Sequence, residues 1–184
     1  MRTLGPLLLA VALLLAALPA RADQNDPRLP PLFAELKQAP DPQSAHEIEM
    51  NIWSAWFHSS DGAVSALMEQ GARAMDRRDF TAAQHAFDQV VALAPDYAEG
   101  WNRRATLRYL TGDLQGSLED ITETLAREPR HFGALAGRGL VYMALDEPVK
   151  ALDSFEAALK IHPNLPGPQV NSEMLKKRLK DNAI

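Results

Sequence analysis

The chain has no cysteine. That excludes a disulfide framework, a thiolate zinc site and a lipid-modified cysteine. Catalytic signatures are missing as well. There is no G-x-S-x-G to carry a nucleophile, no G-x-x-x-x-G-K phosphate loop and no G-x-G-x-x-G dinucleotide turn; Gly137 and Gly139 fall inside an expected helix. The histidines are His46, His58, His85, His131 and His162, and none stands in H-E-x-x-H. His46-Glu47-Ile48-Glu49 lacks the second histidine that would hold zinc from one helix face. His131 and His162 flank prolines, where turn or helix-end roles are expected. Glu119 and Asp120 are neighbours that point apart on a helix, a poor acid–base pair. No catalytic residue, metal site or cofactor is therefore expected.

Positive charge is also in short supply, with 19 Lys and Arg against 24 Asp and Glu, a net charge of −5. The long apolar run is confined to the start. Arg2 precedes Leu4 to Leu18, and Pro19 leads into Ala20-Arg21-Ala22. This layout predicts a secretory signal peptide over 1–22, cleaved after Ala22. The run is short for a membrane span of about 20 residues, and Gly5 and Pro6 interrupt it. Loss of Arg2 and Arg21 leaves 17 basic and 24 acidic residues, a net charge of −7. Nucleic acid, which needs a basic surface, is not an expected ligand. Export without disulfides suits a bacterial periplasm.

What the sequence does contain is a period. Pro95, Pro129 and Pro163 stand 34 residues apart. Three windows, 64–97, 98–131 and 132–165, each hold an apolar helical stretch, a polar break and a second stretch before the proline. Large apolar residues open the first stretch at Leu67, Trp101 and Leu135. Small ones follow at Gly71, Ala105 and Gly139, where a neighbouring helix can approach closely. The second stretch repeats Ala83, Ser117 and Ala151, then Phe87, Ile121 and Phe155. Such a period marks stacked units that bury their apolar faces only against one another.

The pattern resembles the tetratricopeptide repeat, whose signature is W-x2-L-G-x2-Y, then A-x3-F, then P. Trp101 to Pro129, and Gly139-x2-Tyr142 to Pro163, fit it best. Arg104 and Arg138 depart from it at the leucine slot, and Thr124 at a small apolar one. The resemblance implies an all-α, right-handed solenoid of helical hairpins. It also implies a concave face, lined by the first helix of each hairpin, that holds a peptide or a partner helix. Carried over by position, that face comprises Met68, Ala72 and Met75, then Asn102, Thr106 and Tyr109, then Ala136, Leu140 and Met143. Met68 and Leu140 have an alternative place, packed against neighbouring helices. Positions that grip carboxylate tails in one sub-family are here Met68, Ala72, Arg103, Gly133 and Gly137. Only one of them is cationic, too few to offset carboxylate desolvation. In Phe-Ala-Glu-Leu-Lys and Arg130-His131-Phe132-Gly133-Ala134-Leu135 the chain is also similar to small periplasmic repeat proteins.

Flanking segments have expectations of their own. Residues 23–29 read as an extended leader. In the 34-residue frame 30–63 becomes a diverged repeat that caps the array, with Trp53 or Trp56 buried against the helix that holds Leu67. A ligand-binding aromatic patch is the alternative. Asp41 and Asp96 are expected to cap helices. A last capping helix, within 166–184, places Val170, Met174, Leu175 and Leu179 on the third repeat. Its Lys176, Lys177, Arg178 and Lys180 read as a solvated cap rather than a membrane contact. The expected function is a non-catalytic scaffold that binds another envelope protein; a self-associating structural subunit is the alternative.

Overall fold

The computed structural model describes residues 24–181, so the expected signal peptide lies outside the described residues. Among the described residues there are nine α-helices and no strand. They are α1 (Leu29–Gln38), α2 (Pro42–Phe57), α3 (Gly62–Asp76), α4 (Phe80–Leu93), α5 (Ala98–Thr111), α6 (Leu114–Arg127), α7 (Phe132–Ala144), α8 (Pro148–Ile161) and α9 (Pro166–Asp181). Each 34-residue window holds one hairpin: α3–α4, α5–α6 and α7–α8. Consecutive helices pack from α3 through α9, as in an α-solenoid.

The same turn joins the helices of every hairpin. Arg78, Gly112 and Asp146, 34 residues apart, all have positive φ, at 57°, 86° and 56°. In each case the next amide closes back five residues: Asp79 N–H to Ala74 C=O, Asp113 to Arg108, and Glu147 to Tyr142, all at 2.9 Å. This Schellman closure satisfies carbonyls left open at the helix end. The carboxylates of Asp79 and Asp113 then accept from Ala82 N–H and Gly116 N–H, starting the second helix. Each second helix ends two residues before its proline, which lacks an N–H to continue it.

Inside each hairpin the recurring small and large residues meet. Phe87 lies against Gly71, and Phe155 against Gly139. An added Cβ at Gly139 would fall 2.5 Å from the Phe155 ring. In the middle hairpin both partners change: Ala105 carries the extra methyl and Ile121 replaces the ring, and both are buried in one cluster. Ala83 and Ala151 are fully buried at the same crossing.

The arginines that break the leucine slot bridge the two helices of their hairpins. Arg104 donates to Asp120 at 2.8 and 2.9 Å and to Asp88 at 2.9 Å. Arg138 donates to Ser154 at the same 16-residue offset. Thr124 is buried because its hydroxyl donates to the Asp120 carbonyl at 2.8 Å. Trp101, expected in the core, is only half-buried. Its N–H donates to Pro95 C=O, and Arg104 and Arg127 stack over its ring at 4.9 and 5.0 Å. Once a charged residue occupies the leucine slot, the ring serves as a platform for guanidinium groups.

The ends differ most from expectation. Residues 24–28 form turns, not an extended leader, and Gln24 donates to Asp96 C=O. The hairpin α1–α2 does not stack on α3 as a further repeat. Its packing partners are α5 and α8, together with Phe132 at the start of α7. Trp56 is buried, but against His131 and Phe132 rather than the Leu67 helix. Asp41 does cap α2, through Ser44 N–H, whereas the N-cap of α5 is Tyr97 rather than Asp96, and it is Gln24 Oε1 that accepts from Ala98 N–H. In α9, Pro168, Ser172 and Leu175 face inward while Val170 and Met174 are exposed. Two of its cations are tied to the array, Lys176 to Glu156 and Arg178 to Asp146.

Candidate functional site

The first helices of the second and third hairpins, α5 and α7, lie side by side. Their residues Asn102, Thr106 and Tyr109, and Ala136 and Leu140, line one cavity of about 210 Å³. Its floor is Ala105, Ile121 and Ala134, which hairpin packing holds in place. Gly137 widens it by leaving out a side chain, whereas the space beside Gly133 is taken by the Trp53 ring. A second cavity, of about 240 Å³, shares Gly133, Ala136 and Leu140 with the first, so the two adjoin along α7 and together make up the trough. The second cavity is walled by Trp53 of α2 and by Pro168 and Asn171 of α9.

Four expected groove residues lie elsewhere. Met68 is fully buried in the α3–α4 core with Phe87, Val90 and Leu107. Met75 is half-buried against that core. Met143 packs against the cluster of Phe155 and Leu175. Ala72 is half-buried and lines neither cavity of the trough. The methionines of the expected face are thus core material. Trp53, which the repeat frame sets against the Leu67 helix and the alternative sets in an aromatic patch, lines the second cavity. The period carries no information about a side chain delivered from outside the repeats.

One edge of the trough is electrostatically closed. Glu99 is buried and accepts from Arg103 at 2.6 Å and from Asn102 at 2.9 Å, with His131 at 3.0 Å. Because His131 Nδ1 accepts from Ala134 N–H at the head of α7, its Nε2 carries the proton that faces Glu99. Burial pushes the Glu99 carboxyl up, but Arg103 and His131 outweigh it and hold the group below its ordinary value. Arg103, the one cation at the carboxylate-gripping positions, is therefore already engaged. Asn102 is committed to Glu99 through its amide N–H. Both ring nitrogens of His131 are engaged, Nδ1 as a helix cap and Nε2 with Glu99. The surface presented is apolar and receptive, with little polar chemistry exposed.

Comparison with known proteins agrees with this architecture. The Tetratricopeptide repeat family model matches residues 68–121 and 111–166. A TPR repeat-containing protein of Rhizobium etli is 37% identical over 155 residues, spanning 84% of this chain and 76% of that protein. Among solved structures, the first TPR of Spaghetti (RPAP3) bound to HSP90 peptide SRMEEVD has a TM-score of 0.63 at 17% identity, covering 67% of this chain and 98% of that one. The TPR2B domain of yeast Sti1 in complex with pHsp70 has a TM-score of 0.60 at 15% identity, covering 64% and 99%. With its period, its hairpins and its repeated turn accounted for, the chain belongs to the tetratricopeptide repeat family.

Proposed function

We propose that this chain is a non-catalytic scaffold that takes an uncharged, largely apolar segment of another protein along the trough between α5 and α7. The observation that carries the reading is the apolar cavity that Asn102, Thr106 and Tyr109 of α5 form with Ala136 and Leu140 of α7, with a second cavity adjoining it at Gly133, Ala136 and Leu140. Apolar pockets of this kind take anchoring side chains, which supply most of the binding energy of an interface. Structural neighbours captured with HSP90 and Hsp70 peptides support peptide binding as the use of the concave side. The peptide class differs here. With Arg103 neutralised by Glu99, an acidic tail would lose its hydration without gaining a free cation.

The reading places the partner in the bacterial cell envelope, on the strength of the expected signal peptide and the cysteine-free composition. Amino-terminal sequencing of protein recovered from the periplasmic fraction tests the location, with Asp23 expected as the first residue. Affinity capture from envelope extract tests the binding. Partners retained by the native chain should be lost with Tyr109→Ala and with Leu140→Glu. Capture indifferent to both substitutions removes the trough from the account.

A further inference from the structure

Helix α2 is not a repeat, yet it lies where a ligand would. Its footprint follows the heads of the array's first helices. Trp56 stacks on His131 with ring centroids 4.1 Å apart and planes within 8°. Trp53 meets Phe132 edge-on at 5.4 Å, and its ring end occupies the space where Gly133 has no Cβ; an added Cβ would come within 2.5 Å of it. Glu49 reaches His162 at the end of α8, 3.4 Å away. Tyr97 donates to the last carbonyls of α2, those of Trp56 and Phe57, at 2.9 Å each. The carboxylate and the two rings stand at i, i+4 and i+7, one face of one helix.

Two features mark this seam as exchangeable. The first is its incomplete polar pairing. Trp56 Nε1 and His162 Nδ1 are buried at the seam without a hydrogen-bond partner, and orphaned buried groups weaken the state that buries them. The second is the attachment. Non-helical His58 to Asp61 join α2 to α3, while the packing goes on to α5, α7 and α8. The site is thus bound through side chains and joined to the array by a short linker.

We propose that the strip formed by Tyr97, His131, Phe132, Gly133 and His162 is a receptor for an amphipathic aromatic helix. Helix α2 is its resident occupant, and a partner helix with a carboxylate followed four and seven residues later by aromatic rings exchanges with it. This rests on the concave side being the binding side, and it adds a second, covered site beside the trough, with its own class of partner and the means by which it is kept covered.

The probe is a fluorescein-labelled synthetic peptide of residues 41–60, titrated by anisotropy into full-length mature chains. Trp53→Ala/Trp56→Ala weakens the resident helix and leaves the receptor intact, so it should bind the peptide at least about tenfold more tightly than the native chain, whose site is filled. Adding Gly133→Ala, which blocks the ring end, should abolish that gain. A peptide with both tryptophans replaced by alanine should not bind. Equal binding of the two peptides, or binding indifferent to Gly133→Ala, overturns the proposal. Hydrogen exchange on the native chain gives an independent reading: amides of 44–57 should exchange at least about tenfold faster than those of α7 and α8, and equal rates overturn it. Envelope capture that depends on Tyr109 while the peptide fails to bind would sink this inference alone and spare the trough.

Discussion

Gly139→Ala asks whether the small residue of the repeat is a packing requirement. An ideal Cβ at 139 falls 2.5 Å from Phe155 Cε1 and 2.6 Å from Cδ1. Carbon atoms pack at about 3.5–4.0 Å, so the ring or the helix must shift by about 1 Å. Phe155 is 1% exposed and has no open side to swing toward. Overpacking of this kind costs about 1–3 kcal/mol, and alanine returns about 1 kcal/mol of helix propensity over glycine. The expected net loss is up to about 2 kcal/mol. Phe155→Ile alone removes buried ring volume and should cost about 1–2 kcal/mol, less than the full truncation of a core Phe. The double substitution recreates the Ala105–Ile121 pairing of the middle hairpin. Its cost should therefore fall at least about 1 kcal/mol below the sum of the singles. Urea unfolding followed by far-UV circular dichroism measures all four proteins. Strictly additive costs, or a stabilising Gly139→Ala, would refute the idea that ring and glycine specify each other.

Three further outcomes follow from the structure. Asp120 is buried between Arg104 and Arg108, so Asp120→Asn should lower stability by about 3 kcal/mol in the same urea assay, as removal of one partner from a buried ion pair does. Trp101→Ala should cost only about 2 kcal/mol, from two guanidinium stacks and one hydrogen bond, rather than the roughly 3–5 kcal/mol of a core tryptophan. Glu49 is held below its ordinary value first by the hydrogen bond with His162, against an opposing push from burial, and further by Trp53 and His46. The folded state thus favours the ionised form. Its contribution is complete above the ordinary value of 4.5 and is lost as pH falls through the depressed one. In a Trp101→Phe background, where the remaining tryptophans both belong to α2, emission should shift toward that of exposed indole in this acid range. Glu49→Gln should flatten that response.

The hairpins and their boundaries were legible because period carries over directly into geometry: one proline, one left-handed turn and one crossing of a small residue against a large one per 34 residues. Trp101 was misplaced because the signature treats that slot as buried, while Arg104 three residues on changes what the ring can touch. The α1–α2 hairpin was forced into the repeat frame, where Trp53 falls under Phe87. Its true partners, His131, Phe132 and His162, lie some 75 to 110 residues further along the chain, beyond the reach of any local pattern. Half of the trough was readable by position: Asn102, Thr106, Tyr109, Ala136 and Leu140 do converge. The first repeat's residues turned inward because Met68 fills the α3–α4 core.

Asn164 donates to the carbonyl of Ala39, and His162 meets Glu49, so the third hairpin is fastened to residues that precede the first. Stacked-repeat proteins ordinarily behave as one-dimensional chains whose end units fray independently. Here a strap of sequence-distant contacts closes the row upon itself. Peeling away the last unit requires these contacts to be released first, so the third hairpin should open later than the end unit of an open row. Closing those distant contacts also lengthens the average loop the chain must form, and refolding should be slower than for an open array of the same length.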